Sequence, residues 1–148
     1  MARVWRVLNS LFAGLSRDRL ALPRRVPIVA LVVDEQDRRV LASISGQELL
    51  DIHFVESREE VCSAAKRLIA PVVFLDRDWR GTEWKTDVQR LAASPHHACV
   101  ILLSGVSDVY LWQELIRWGG YDVLPKPLQA DKVASVVKLA MTYGLASR

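Results

Sequence analysis

Cysteine is scarce in this 148-residue chain: Cys62 and Cys99 stand apart inside apolar segments, with no CxxC spacing. That excludes a disulfide scaffold and a thiolate metal knot, so both read as small buried hydrophobes in a reducing compartment. Histidine is also sparse, at three residues. His96 and His97 adjoin Cys99 in "HHAC", but no second ligand pair lies elsewhere, so a loop is expected there. His53, mid-strand, reads as an ordinary sheet residue. No run approaches the roughly 18 to 20 apolar residues a membrane span needs. A secretory signal is lacking too, because Arg6 and Asn9 interrupt the first apolar stretch and no small-x-small site follows. The expected location is the cytoplasm.

A basic surface on the main body is also missing. The formal charge is +3, but residues 1 to 25 hold six arginines against Asp18, a balance of +5. The other 123 residues carry 14 basic and 16 acidic groups, a balance of −2. Direct nucleic-acid binding is therefore not expected of the globular part. Any attraction to an anionic surface belongs to the N-terminal extension.

That extension has a pattern of its own. Val4, Val7, Leu8, Leu11, Phe12 and Leu15 fall at the spacing of one helix face, which predicts an amphipathic helix over residues 3 to 16. Pro23 and Pro27 then bracket an arginine pair, so residues 1 to 25 form an extension and 26 to 148 the domain. The extension is suited to a partner protein, a dimer, or membrane contact through its arginines.

From residue 27 the pattern alternates. "PIVALVVDE" (27 to 35) is an apolar run ending in acids, followed by a helix over about 36 to 48. "DIHFVES" (51 to 57) is a shorter strand, and Ser57 with Glu60 forms a capping box for a helix through Leu68. "VVFLD" (72 to 76) is the third strand. A helix over 82 to 93 places Trp84, Val88 and Leu91 on one face; "CVILLSG" (99 to 105) is the fourth strand. Ser107 is expected to cap the next helix, and Gly119-Gly120 to end it. "YDVLPKP" (121 to 127) and a helix over 129 to 143 complete the order.

Continuous V/I/L strands, rather than alternating ones, are buried on both faces. The expected fold is a doubly wound (βα)5 parallel sheet of flavodoxin-like strand order 2-1-3-4-5, with the N-terminal helix added.

In such sheets ligands bind beyond the C-terminal strand ends. The residues placed there are Asp34 and Glu35, Asp76, Ser104, and Lys126 before Pro127. Crowded carboxylates suit a hard divalent cation such as Mg2+, and an activated Asp can accept a phosphoryl group. Ser104 can donate to a phosphoryl oxygen and the Lys126 ammonium can pair with another.

Together, "LVVDE", "VVFLD", "VILLSG" and "YDVLPKP" resemble the CheY-like receiver domain of bacterial response regulators, over roughly residues 27 to 143. The resemblance implies a stand-alone receiver rather than an enzyme. Asp34, Glu35 and Asp76 would hold Mg2+, together with position 78, which in receivers gives a backbone carbonyl to the metal. Asp76 would take a phosphoryl group from a histidine kinase or phosphotransfer protein, Ser104 would be the switch hydroxyl, and Lys126 would pair with the phosphoryl oxygens. It further implies a cis Lys126-Pro127 bond, and contact with a downstream protein or a second copy through the fourth helix, fifth strand and fifth helix.

Several positions depart from the family's pattern. Arg80 stands where the family usually has proline, Val123 where it has an aromatic switch residue, and Glu35 where it has a second Asp. Asp78 is an acid at the position that tunes phosphoryl hydrolysis. Two rivals share these residues. One is a pseudo-receiver that binds partners without phosphorylation. The other is a haloacid-dehalogenase-like phosphatase, since "VVFLDRDW" also matches that family's Asp-x-Asp strand. Those enzymes, however, begin with that strand.

Overall fold

The structure, a computed structural model, describes residues 25 to 146 except 48, 81 and 82, with side chains to residue 142. The expected N-terminal helix lies outside the described residues. Five strands alternate with five helices: β1 (Val26–Leu31), α1 (Glu35–Gln47), β2 (Leu50–Phe54), α2 (Arg58–Leu68), β3 (Val72–Asp76), α3 (Trp84–Ala92), β4 (Cys99–Ser104), α4 (Val109–Arg117), β5 (Asp122–Pro125) and α5 (Ala130–Ala146). All pairings are parallel and the order is β2-β1-β3-β4-β5, as the apolar runs predict.

Alternation along the strands sends side chains to two cores. Ile28, Phe74, Ile101 and Leu103 pack under α1 and α5 with Leu41, Val133 and Met141. Val29, Leu75, Leu102 and Val123 pack under α2, α3 and α4 with Val61, Val88 and Leu115. Because both faces are covered, β3 is buried at every position. That is the physical cause of its unbroken "VVFLD".

Strand β1 ends at Leu31, earlier than the apolar run suggests. Its last ladder partner is Leu75, and the chain beyond turns across the sheet edge into α1. Half of the capping box at α2 forms: Ser57 Oγ accepts from Glu60 N–H at 3.2 Å, but Glu60 Oε2 accepts at 3.4 Å from the N–H of Glu56, one residue before the cap. At α4 the sequence reading is corrected. Asp108, not Ser107, is the cap, because its Oδ1 accepts from Leu111 N–H at 2.8 Å.

The same helix ends in a left-handed cap. Gly119 has φ 97, its N–H bonds to Ile116 O at 3.0 Å, and Gly120 N–H bonds to Leu115 O at 2.9 Å. Gly120 lies so close to the fully buried Leu115 that a Cβ there would stand 2.2 Å from its Cδ1. Gly120→Ala is therefore expected to lower stability by about 1 to 3 kcal/mol in urea unfolding. Gly46→Ala, with nothing within 4 Å of the added Cβ, should leave stability unchanged or raise it by up to about 1 kcal/mol.

Candidate phosphoacceptor site

The strand order reverses between β1 and β3, and Asp76 closes β3 at that point with no solvent exposure. A buried carboxylate is costly unless every oxygen is satisfied. Here Oδ2 accepts from Val33 N–H at 3.0 Å, just past the end of β1. Oδ1 accepts from Asp78 N–H at 2.9 Å and from Lys126 Nζ at 2.8 Å. Three segments far apart in sequence thus meet on one carboxylate.

Lys126 follows β5, its backbone N–H bonds to Ser104 O at 2.9 Å, and its bond to Pro127 is cis. Its ammonium also touches Asp78 Oδ2 at 2.6 Å. Burial lowers the ammonium's affinity for its proton, but the bonds to Asp76 and then Asp78 outweigh it, so its pKa is raised above the usual lysine value. Lys126 therefore remains charged between two carboxylates. Asp78, half exposed, closes the outer side of the buried pair.

Of the other residues named from sequence, Ser104 lies at the end of β4, 1% exposed, its Oγ accepting from Val106 N–H at 3.1 Å. Asp34 and Glu35 stand exposed where β1 gives way to α1. Asp34 Oδ1 accepts from Gln36 N–H at 2.8 Å, the bond of a helix cap. Among the described residues no three His, Cys, Asp or Glu side chains gather as a ready metal group, so Asp34 and Glu35 are not drawn in with Asp76 and Asp78. The reason is visible in the contacts: Asp34 turns to its own helix, and the Lys126 ammonium occupies the position between the two inner acids. The same absence covers His96, His97 and Cys99.

Two contributors escaped the sequence reading. Asp37, 2% exposed on α1, accepts from Leu128 N–H at 2.9 Å and so ties that helix to the turn that carries Lys126. Nothing in the sequence signals a partner 91 residues away. Arg77 directs Nη1 to Ser104 Oγ at 3.4 Å. A signal existed there: Asp76 is in register with Leu103, which makes Arg77 and Ser104 the next pair across the sheet.

Neither a protein-family model nor a curated protein matches the chain. Solved structures do. A two-component response regulator from Clostridium difficile superposes with TM-score 0.70 at 15% identity, over 80% of this chain and 97% of that one. The response regulator domain of Thermotoga maritima CheB gives 0.69 at 18%, over 80% and 98%. NtrX from Brucella abortus gives 0.72 at 21%, over 84% of this chain and 28% of that longer one. The chain has the fold of CheY-like receiver domains, and at these identities the fold is what is shared.

Replacing Lys126 by methionine leaves two acids facing each other and is expected to cost about 2 kcal/mol near neutral pH. Since the folded-state pKa is raised, the ion pair's contribution is complete below the ordinary value of 10.5 and is lost as pH rises through the higher folded value. Urea midpoints of wild type and Lys126→Met should differ by a constant amount from neutrality to about pH 9 and converge only above about pH 10.5.

Proposed function

We propose that the chain is a response-regulator receiver that accepts a phosphoryl group on Asp76 and signals by protein contact. The observation that carries this is the Lys126 ammonium 2.8 Å from a fully buried Asp76 at the reversal point of a receiver-fold sheet. A histidine kinase or phosphotransfer protein is the proposed donor. In the transfer an Asp76 carboxylate oxygen forms the new O–P bond while the P–N bond of the donor phosphohistidine breaks. The departing imidazole nitrogen keeps the bonding pair and is protonated.

The chain's own groups then have distinct tasks. Lys126 must leave Asp78 to pair with phosphoryl oxygens, and Val33 and Asp78 N–H groups hold the carboxylate in orientation. Ser104 supplies a hydroxyl from the next strand. Asp34, Glu35, Asp76 and Asp78 all follow or close β1 and β3, and of these Asp76 and Asp78 pair with Lys126. Their oxygens are hard donors of the kind Mg2+ takes, so Asp34, Glu35, Asp76 and position 78 are the proposed ligands, with Lys126 giving up its place between Asp76 and Asp78. When bound, the ion would neutralise phosphoryl charge.

Output by contact is supported by α4. It buries Leu111 and Leu115 while Val109, Tyr110, Trp112 and Ile116 stay exposed, with Val109 and Tyr110 at 70% and 71%. Exposed aromatics and aliphatics gathered on one helix suit a protein partner or a second copy. The phosphatase reading fits less well. Asp76 closes the third strand rather than the first, and Asp78 is bound to Lys126 rather than free as an acid/base. No described helix is long and apolar enough to cross a membrane.

A second reading also has an observation behind it. With Asp78 bridging to Lys126 over a sealed Asp76, the chain could act as a phosphorylation-independent module. Acetyl phosphate labelling with Mg2+, followed by intact mass, separates the two. Wild type should gain one alkali- and hydroxylamine-labile phosphoryl group and Asp76→Ala none. Labelling absent from wild type, or retained in Asp76→Ala, would favour the module.

Asp78→Asn removes a carboxylate that competes for Lys126 and repels the donor. A like charge at about 4 Å in a solvated setting is worth roughly 1 kcal/mol, so labelling should speed by about fivefold. An unchanged rate would show that the bridge does not restrain the acceptor.

A further inference from the structure

Receivers must pass the state of the switch hydroxyl to their surface, and this chain lacks an aromatic where the family's resemblance leads one to expect it. Val123 is buried on the α4 side of the sheet, with no polar group to offer. Tyr121 packs on the opposite core, under α1 and α5. Neither residue offers the α4 face a group that could follow Ser104.

Arg77 does. Side chains alternate along a strand, so Asp76 shares the face of Phe74 under α1 and α5, whereas Ser104 shares the face of Leu102 under α2 to α4. Register places Arg77 beside Ser104 on that second face. The Ser104 hydroxyl is therefore held away from Asp76 by two donors, Val106 N–H at 3.1 Å and Arg77 Nη1 at 3.4 Å. The second bond is long, hence weak enough to release. Beyond it Arg77 lines a groove of about 190 Å3 between α3 and α4, with Trp84, Lys85, Asp108, Tyr110 and Glu114. Glu114 in this groove already pairs with Lys85 at 3.4 Å and Arg117 at 3.2 Å, and Asp108 Oδ1 caps α4, so a released guanidinium would turn to the remaining Asp108 oxygen or compete with Lys85 for Glu114. Tyr110 is one of the most exposed apolar residues of α4.

We propose that Arg77 is a positioning residue that latches Ser104 on the α4 face and, on release, carries the state of Ser104 into the α3–α4 groove. This rests on Asp76 being the phosphoacceptor. While Asp76 is unmodified, the guanidinium holds the hydroxyl. When the hydroxyl turns to a phosphoryl oxygen, Arg77 loses its acceptor and moves against α4, changing the surface offered to a partner. An arginine so placed does the work an aromatic rotamer would otherwise do.

The test uses the full chain with beryllofluoride and Mg2+ as the phosphoryl probe. Affinity comes from tryptophan fluorescence, and amide NMR shifts follow Val106, beside Ser104, and Leu111 and Glu114 in α4. Wild type should bind and shift all three amides. Arg77→Ala should bind about three- to tenfold tighter, the worth of one hydrogen bond removed from the resting state, with Val106 still shifting and Leu111 and Glu114 silent. In a Ser104→Ala background the same substitution should change affinity by less than about twofold, because a latch acts only through the hydroxyl. Arg77→Lys, which keeps a donor, should restore most of the α4 response.

Unchanged affinity and shifts in Arg77→Ala would overturn the latch. So would weaker binding in both backgrounds, which marks a cation acting directly on the phosphoryl group. Wild type that binds no beryllofluoride, or Asp76→Ala that binds it equally, would overturn the phosphoacceptor role itself and the latch with it.

Discussion

A carboxylate with no exposure, at the point where a parallel sheet reverses its order, is the constraint around which this molecule is arranged. Left unpaired, Asp76 would cost several kcal/mol. Its partners are the Val33 and Asp78 N–H groups and the Lys126 ammonium, supplied by three separate crossings of the sheet edge. The Asp78 N–H is two residues away, but Val33 and Lys126 reach the carboxylate only once the strands are in register. The ion pair therefore needs the fold, and its geometry depends on how β1, β3 and β5 end relative to one another.

Other contacts hold those ends in place. Asp34 caps α1 with its side chain, which fixes where the chain leaves the sheet after Val33. Asp37, on the buried face of the same helix, grips the Leu128 amide just beyond the Lys126-Pro127 turn. Arg38 reaches back to Val32 O at 3.1 Å and pairs with both oxygens of Glu56 at 3.2 Å. One turn of α1 thus sets the positions of the β1 edge, the β2 exit and the lysine loop. Asp76 and Lys126 meet because that helix start is rigid on three sides.

The two faces of the sheet divide the remaining work. On the side of α1 and α5 lie Asp76, its lysine and the tie through Asp37. On the side of α2 to α4 lie Ser104, Arg77 and a helix that is apolar both inward and outward. A chemical change on the first face reaches the second only at the strand edge, where β3 and β4 are adjacent and where Arg77 and Ser104 are neighbours across the ladder.

Sequence alone determined the strands, the parallel sheet and the set of polar strand ends. Unbroken apolar runs have one stable solution, burial on both faces, and "VVFLD" was legible residue for residue because all five of its side chains are enclosed. Asp76, Ser104 and Lys126 could be named because each ends such a run. The end of β1 and the cap of α4 were less legible, since apolar residues continue past the last ladder partner and adjacent Ser and Asp both make good caps. Tertiary structure alone decided which polar groups touch. It placed Lys126 between Asp76 and Asp78, joined Asp37 to Leu128 and set Arg77 against Ser104. Those choices depend on distances of a few ångströms between segments dozens of residues apart, and no local propensity carries that information.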